Sequence, residues 1–172
     1  MTQTSILLRP VLGPLLSSDR ILLWSTPLTQ RELLRQLLQT IRASTSLDTE
    51  LAFQKLLARE AEGSTFLNEG IAFPHCQVPG LSRPEVALGL PRAGVKFLPT
   101  KLPTEVVFLV LSPNANASTQ LPVMAQAARL FKDPSMRTAL ASAQTGSSVL
   151  EIVRQWEQRV QDVGYTPRAP RF

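Results

Sequence analysis

The sequence predicts an α/β three-layer sandwich, a central mixed β-sheet flanked by helices on both faces. Two observations carry that expectation. "EVALGL" (residues 85–90) and "EVVFLVL" (residues 105–111) are apolar runs of strand length, suited to burial in a sheet. Around them, apolar residues recur at helical spacing: Leu33, Leu34, Leu37, Leu38 and Ile41, then Val149, Val153, Trp156 and Val160. Striped helices alternating with a few buried strands pack as layers.

In chain order, residues 1–17 read as an N-terminal arm, apolar but broken by Pro10, Gly13 and Pro14, irregular or a short helix. "RILLW" (20–24) suits a first strand. Thr26 with Pro27 at the first helical position predicts a helix reaching about Ala43. Asp48 caps a second helix with Phe53, Leu56 and Leu57 as its buried stripe, and Gly63 stops it. Residues 63–84 read as loop, with a short strand at "IAF". Gly94 and three prolines punctuate a hairpin or long turn between the two clear strands. "NANAST" leads into a helix with Leu121, Met124, Ala125, Ala128 and Phe131 on one face, Pro122 falling in its first turn. Asp133-Pro134 starts a short helix, and Ser148 with Glu151 makes a capping box for the last. The domain is expected over residues 18–160, with residues 161–172 a flexible C-terminal tail.

Composition narrows the class. With 44% apolar and 18% charged residues the chain reads as an ordinary soluble domain. No apolar run is long enough for a membrane span, and the start lacks the pattern of a signal peptide. One cysteine forms no internal disulfide, so a reducing cytoplasm is the expected location. The net charge of +5 is dispersed along the chain rather than gathered into a basic, aromatic-interleaved patch, which argues against nucleic-acid binding.

The only histidine, His75, and the only cysteine, Cys76, lie side by side in "GIAFPHCQVPG". Neighbours in an extended segment point apart, which disfavours a Cys–His dyad and a zinc site alike. No metal or cofactor is expected, since glycine-rich phosphate and dinucleotide loops are missing too. His75 alone could accept a phosphoryl group on one ring nitrogen while a hydrogen bond at the other fixes the tautomer. The flanking glycines would expose the ring in a loop, and Arg59, Ser64 and Thr65 stand close by in sequence to hold charge. From these residues alone, an incidental loop histidine remains open beside the reactive one.

Residues 18–156 as a whole resemble a known family. In order come "LLAREAEGST", "NEGIAFPHCQVPGLSRPEVALG", "GVKF", "VFLVLSPNA" and "LPVMAQAARLFKDPSMRTAL". This succession is similar to the IIA domain of the fructose/mannitol and nitrogen-regulatory branch of the bacterial phosphotransferase system, EIIA type 2. The resemblance implies a mixed sheet between helices and His75 as the site of phosphorylation, on the ring nitrogen remote from the backbone. The donor it implies is the small carrier HPr or its nitrogen-branch relative, fed from phosphoenolpyruvate and enzyme I. It puts Arg59 beside the phosphohistidine and Thr65 in the turn below. A IIB domain or a regulatory target protein would be the further partner.

Two positions depart from the family pattern. Gln120 stands where a second histidine is common, and Cys76-Gln77 stand where Ala-Arg often follows the active histidine. A glutamine amide donates to phosphate but carries no positive charge and relays no proton. The resemblance thus implies a regulatory or sugar-transport phosphocarrier, with a IIA-like binding module that no longer transfers phosphate as the alternative. A small-ligand domain using the strand-end crevice has only the generic fold behind it.

Overall fold

The computed structural model describes residues 11–63, 65–67, 69–95, 102–114 and 117–163. The expectations for the first ten residues of the arm, for Ser64, for the middle of the 91–104 link and for the tail beyond Val163 lie outside them. Along the chain run helix α1 (Leu12–Leu15), a 3-10 turn (Ser18–Arg20), strand β1 (Ile21–Trp24), and helices α2 (Gln30–Arg42) and α3 (Thr49–Glu62). Strands β2 (Phe66–Leu67), β3 (Ile71–Ala72), β4 (His75–Val78), β5 (Glu85–Pro91) and β6 (Val106–Pro113) follow. A second 3-10 turn (Ala117–Thr119) then leads into helices α4 (Gln120–Lys132), α5 (Pro134–Ser142) and α6 (Gly146–Val163).

The sheet is mixed, in the order β1-β5-β6-β3-β2. β5 and β6 pair antiparallel, in keeping with the hairpin reading of their link, and β1 joins β5 in parallel. Strict alternation then sorts the apolar residues into two layers. Val86, Leu88 and Leu90 of β5, with Val106, Phe108 and Val110 of β6, join a core shared with α1, α4, α5 and α6. Ala87, Val107, Leu109 and Leu111 face the other way, onto the leucines of α2 and Phe53 and Leu56 of α3. The three-layer sandwich is therefore the architecture of this chain.

Within residues 63–84 the expected short strand at "IAF" is present as β3, while β2 and β4 stand where loop was expected. β3 and β4 are two pieces of one strand along β6: Ile71 faces Val106 and His75 faces Val110 in a single parallel register, with β2 beyond β3 and β4 left at the sheet edge. Pro74 interrupts the ladder because it has no N–H, yet its carbonyl still accepts the Val110 N–H at 3.0 Å. Proline at a sheet edge costs one bond, not the strand.

Three helix details also differ. α2 starts at Thr29, whose side chain and Glu32 close a reciprocal capping box (Glu32 N–H to Oγ1 3.2 Å, Thr29 N–H to Oε2 2.7 Å). Thr26 has no carboxylate three residues on to answer it. α6 is capped by Thr145 with Ser148, each side chain meeting the other's N–H at 3.1 Å, in place of Ser148 with Glu151. α4 buries Val123, Gln126, Ala127, Leu130 and Phe131, and leaves Leu121 62% exposed. The true stripe is hard to see because a glutamine interrupts it: Gln126 is buried and accepts the Val11 N–H at 3.0 Å.

Next to that contact, the buried Glu157 carboxylate on α6 accepts the N–H groups of Val11, Leu12 and Gly13 at 2.7–2.9 Å. These bonds satisfy the orphan donors of α1 and seat Leu12 and Leu16 in the core.

Candidate functional site

The stretch from Gly70 to Gly80 carries the site. Both end glycines have left-handed backbones, φ 76° and 84°, which side-chain-bearing residues rarely adopt. They make the turns that begin and end the β3–β4 strand. Their role is to bound a strand, so His75 sits on a sheet edge rather than in the exposed loop expected from the sequence. A cleft of about 310 Å³ opens beside it, lined by Lys55, Ala58, Arg59, Glu62, His75, Cys76, Gln77 and Gln120.

The His75 ring is half-buried, and its Nδ1 lies 2.8 Å from the Phe73 carbonyl oxygen. A carbonyl only accepts, so Nδ1 donates and the neutral ring keeps its lone pair on Nε2. The anchor of this arrangement runs back to α3. The Phe73 N–H donates to the Thr65 carbonyl at 3.0 Å. Thr65 is held in turn by Glu60, whose carboxylate accepts both its backbone N–H, at 3.1–3.2 Å, and its hydroxyl. Thr65 is thus placed under the histidine strand, buried, with its hydroxyl committed to Glu60. Glu60 is the member that sequence reasoning missed. The one signal available was a carboxylate in the last turn of a helix, a few residues before a turn threonine.

Arg59 lines the cleft while one guanidinium N–H donates to the Gly63 carbonyl at 3.1 Å, closing the end of α3. Lys55, one turn earlier, adds a second cation against the single carboxylate of Glu62. The cleft is therefore net basic and suited to a phosphoryl group. Gln120, first residue of α4, accepts the hydroxyl of buried Ser112 on its Oε1 at 3.1 Å, which leaves the amide N–H groups for the cleft. His75, Arg59 and Gln120 are thereby brought to one cleft, with Thr65 behind it.

Cys76 faces the other way. It packs in the α2–α3 core, its Sγ 3.8 Å from the Ala52 carbonyl, and burial pushes its thiol up to about 12 against a weaker opposing pull from Lys55. Such a thiol is protonated and inert at neutral pH.

The family described as "Phosphoenolpyruvate-dependent sugar phosphotransferase system, EIIA 2" matches residues 14–156. A nitrogen regulatory protein of Pseudomonas aeruginosa is 34% identical over 107 residues, 62% of this chain and 70% of the relative. The crystal structure of nitrogen regulatory protein IIA-Ntr from Neisseria meningitidis superposes with a TM-score of 0.74 at 27% identity, covering 83% of this chain and 98% of that one. Enzyme IIAMTL of Escherichia coli, solved in complex with phosphorylated enzyme IIBMTL, has a TM-score of 0.64 at 21% identity, covering 81% of this chain and 97% of that one. At that identity it shows a shared fold.

Proposed function

We propose, from the premise that this chain belongs to the phosphotransferase-system EIIA type 2 family, that it is a phosphohistidine protein loaded on Nε2 of His75. The observation that carries the reading is the Nδ1 bond to the Phe73 carbonyl, which leaves the Nε2 lone pair at a basic cleft. That lone pair forms the new P–N bond as the donor's bond to phosphorus breaks. The Nδ1 proton stays on the ring, shared with the carbonyl, so the product is a phosphoimidazolium poised to give the group up again. Arg59 and Lys55 balance the phosphoryl charge, and the Gln120 amide donates to one of its oxygens. Thr65 takes the positioning part, through Phe73.

The donor in this reading is phospho-HPr or its nitrogen-branch relative, in the cytoplasm. Among the described residues no helix is long and apolar enough to cross a membrane. Gln120 favours regulation over sugar transport. Its Oε1 is already taken by Ser112, and an amide neither gains charge nor relays a proton for onward transfer to a IIB domain. A phosphate on His75 adds nearly two negative charges to a surface that includes exposed Leu121, so a regulatory target could distinguish the two states. A IIA-like module that binds without transferring is the second reading, and Gln120 is again its support.

Incubation with phosphoenolpyruvate, enzyme I and HPr separates them. Acid-labile phosphate on the wild type, lost in His75→Ala, is the expected result. An unlabelled wild type would remove the phosphocarrier reading, and label persisting in His75→Ala would remove the site.

A further inference from the structure

A second cavity, of about 250 Å³, lies at the opposite end of β6 from the histidine cleft. Val106, the first residue of β6, lines it, whereas His75 faces Val110, four residues along the strand or roughly 13 Å away. Its wall is apolar, from Leu90, Pro91, Val106 and Leu140, and two arginines, Arg92 and Arg137, line it as well.

Backbone carbonyls hold both arginines in place, and Arg137 is also paired with a carboxylate. Arg92 donates to the Ala141 and Ala143 carbonyls at the end of α5, and its own N–H is fixed on the Trp24 carbonyl. Arg137 donates to the Glu69 carbonyl and to the Glu105 carboxylate at 3.1 Å. The Glu69 carboxylate itself faces Lys132, at 3.9 Å. Glu105 is thus the single acidic group in the lining against two guanidinium charges, and Arg92 has no carboxylate partner among the described residues. A guanidinium has five N–H donors, and these bonds occupy two on each. Pre-oriented donors with spare N–H groups, over an apolar floor, describe a receptor for an oxyanion carried on an apolar body. Room is sufficient, since a cavity of about 150 Å³ already holds benzene.

We propose that this cavity is a second ligand site, for a small organic anion with a carboxylate or phosphate head held by Arg92 and Arg137 and an apolar body resting on Leu90, Val106 and Leu140. The site is separate from the His75 cleft and independent of whether His75 is phosphorylated.

The test is titration of the ¹⁵N-labelled full chain with phenyl phosphate, benzoate and inorganic phosphate, followed by NMR. Phenyl phosphate and benzoate compare the two heads; inorganic phosphate lacks the body. The expected result is saturable shifts centred on Leu90, Val106 and Leu140 with at least one of the two aromatic anions, retained in His75→Ala. Arg137→Gln weakens that binding about tenfold, the cost of one charge-assisted contact. Arg92→Gln removes the bonds that hold the end of α5, so Ala141→Phe, at an exposed position on the cavity wall, serves as the second variant and should abolish binding by filling the space. Shifts confined to Lys55, Arg59 and His75, no saturable shifts at all, or binding unchanged in both Arg137→Gln and Ala141→Phe would each overturn the proposal.

Discussion

His75 and Cys76 are joined by one peptide bond, yet they occupy opposite sides of an edge strand with different physics. The Cys76 side chain packs beneath α3 among leucines and Phe53, so although the residue borders the cleft its thiol is buried and neutral. The His75 ring lines the basic cleft at the strand's edge, whose cations Lys55 and Arg59 come from α3, and it is tied at Nδ1 with its lone pair on Nε2. Strand alternation makes the difference: it leaves one ring half-buried at the cleft and packs the next side chain into the core. On the proposed function, reactivity depends on which face of the strand a side chain takes.

The largest expected effect tests the open side. His75→Ala should lose all acid-labile phosphate while its urea unfolding free energy changes by about 1 kcal/mol or less, because the ring is only half-buried. A large stability loss would mean that the cleft side is packed as tightly as the other. Next comes the closed side. Phe53 is fully buried and has the Arg35 guanidinium 3.9 Å above its ring, so Phe53→Ala should cost about 3–5 kcal/mol by denaturant unfolding. A cost near that of a surface substitution would break the comparison.

Cys76 sharpens it through pH. Its thiol rises from 9.0 to about 12 in the fold, chiefly by burial. Above pH 9 the unfolded chain gives up this proton while the folded one keeps it, so the contribution to stability declines as pH rises from 9 towards 12 and is intact below 9. At pH 8, alkylation by iodoacetamide should therefore be at least about a hundredfold slower in the native protein than in urea. A native rate within a few-fold of the unfolded one would place Cys76 at the surface. The smallest effect concerns the anchor behind the ring. Glu60→Gln should destabilise by about 1–2 kcal/mol, weakening its grip on Thr65, and should slow phosphorylation of His75 without abolishing it. A normal rate would show that the link through Thr65 and Phe73 does not position the ring.

Much of the framework was legible from periodicity. The leucines of α2 repeat at helical spacing because one face of the helix is buried, and the unbroken apolar runs that became β5 and β6 state burial on both faces of the sheet. Where a long-range partner redefined a residue, the pattern misled. Gln126 reads as polar and exposed until Val11, 115 positions away, supplies a donor. Pro74 reads as a strand breaker until β6 accepts the chain in register on either side of it.

The site divides in the same way. The sequence by itself determined that His75 was the candidate nucleophile, that Arg59 and Thr65 were near it in the chain, and that Gln120 stood where a second histidine is common. Only the tertiary structure decided that Gly70 and Gly80 bound a strand rather than a loop, and that this strand turns Cys76 inward and His75 towards the cleft. Only it joined Glu60, Thr65 and Phe73 into the hydrogen bonds that end at Nδ1. The reason is physical. A residue's chemical type is local, but its protonated nitrogen, its accessible face and its partners depend on backbone groups and side chains that folding brings to it.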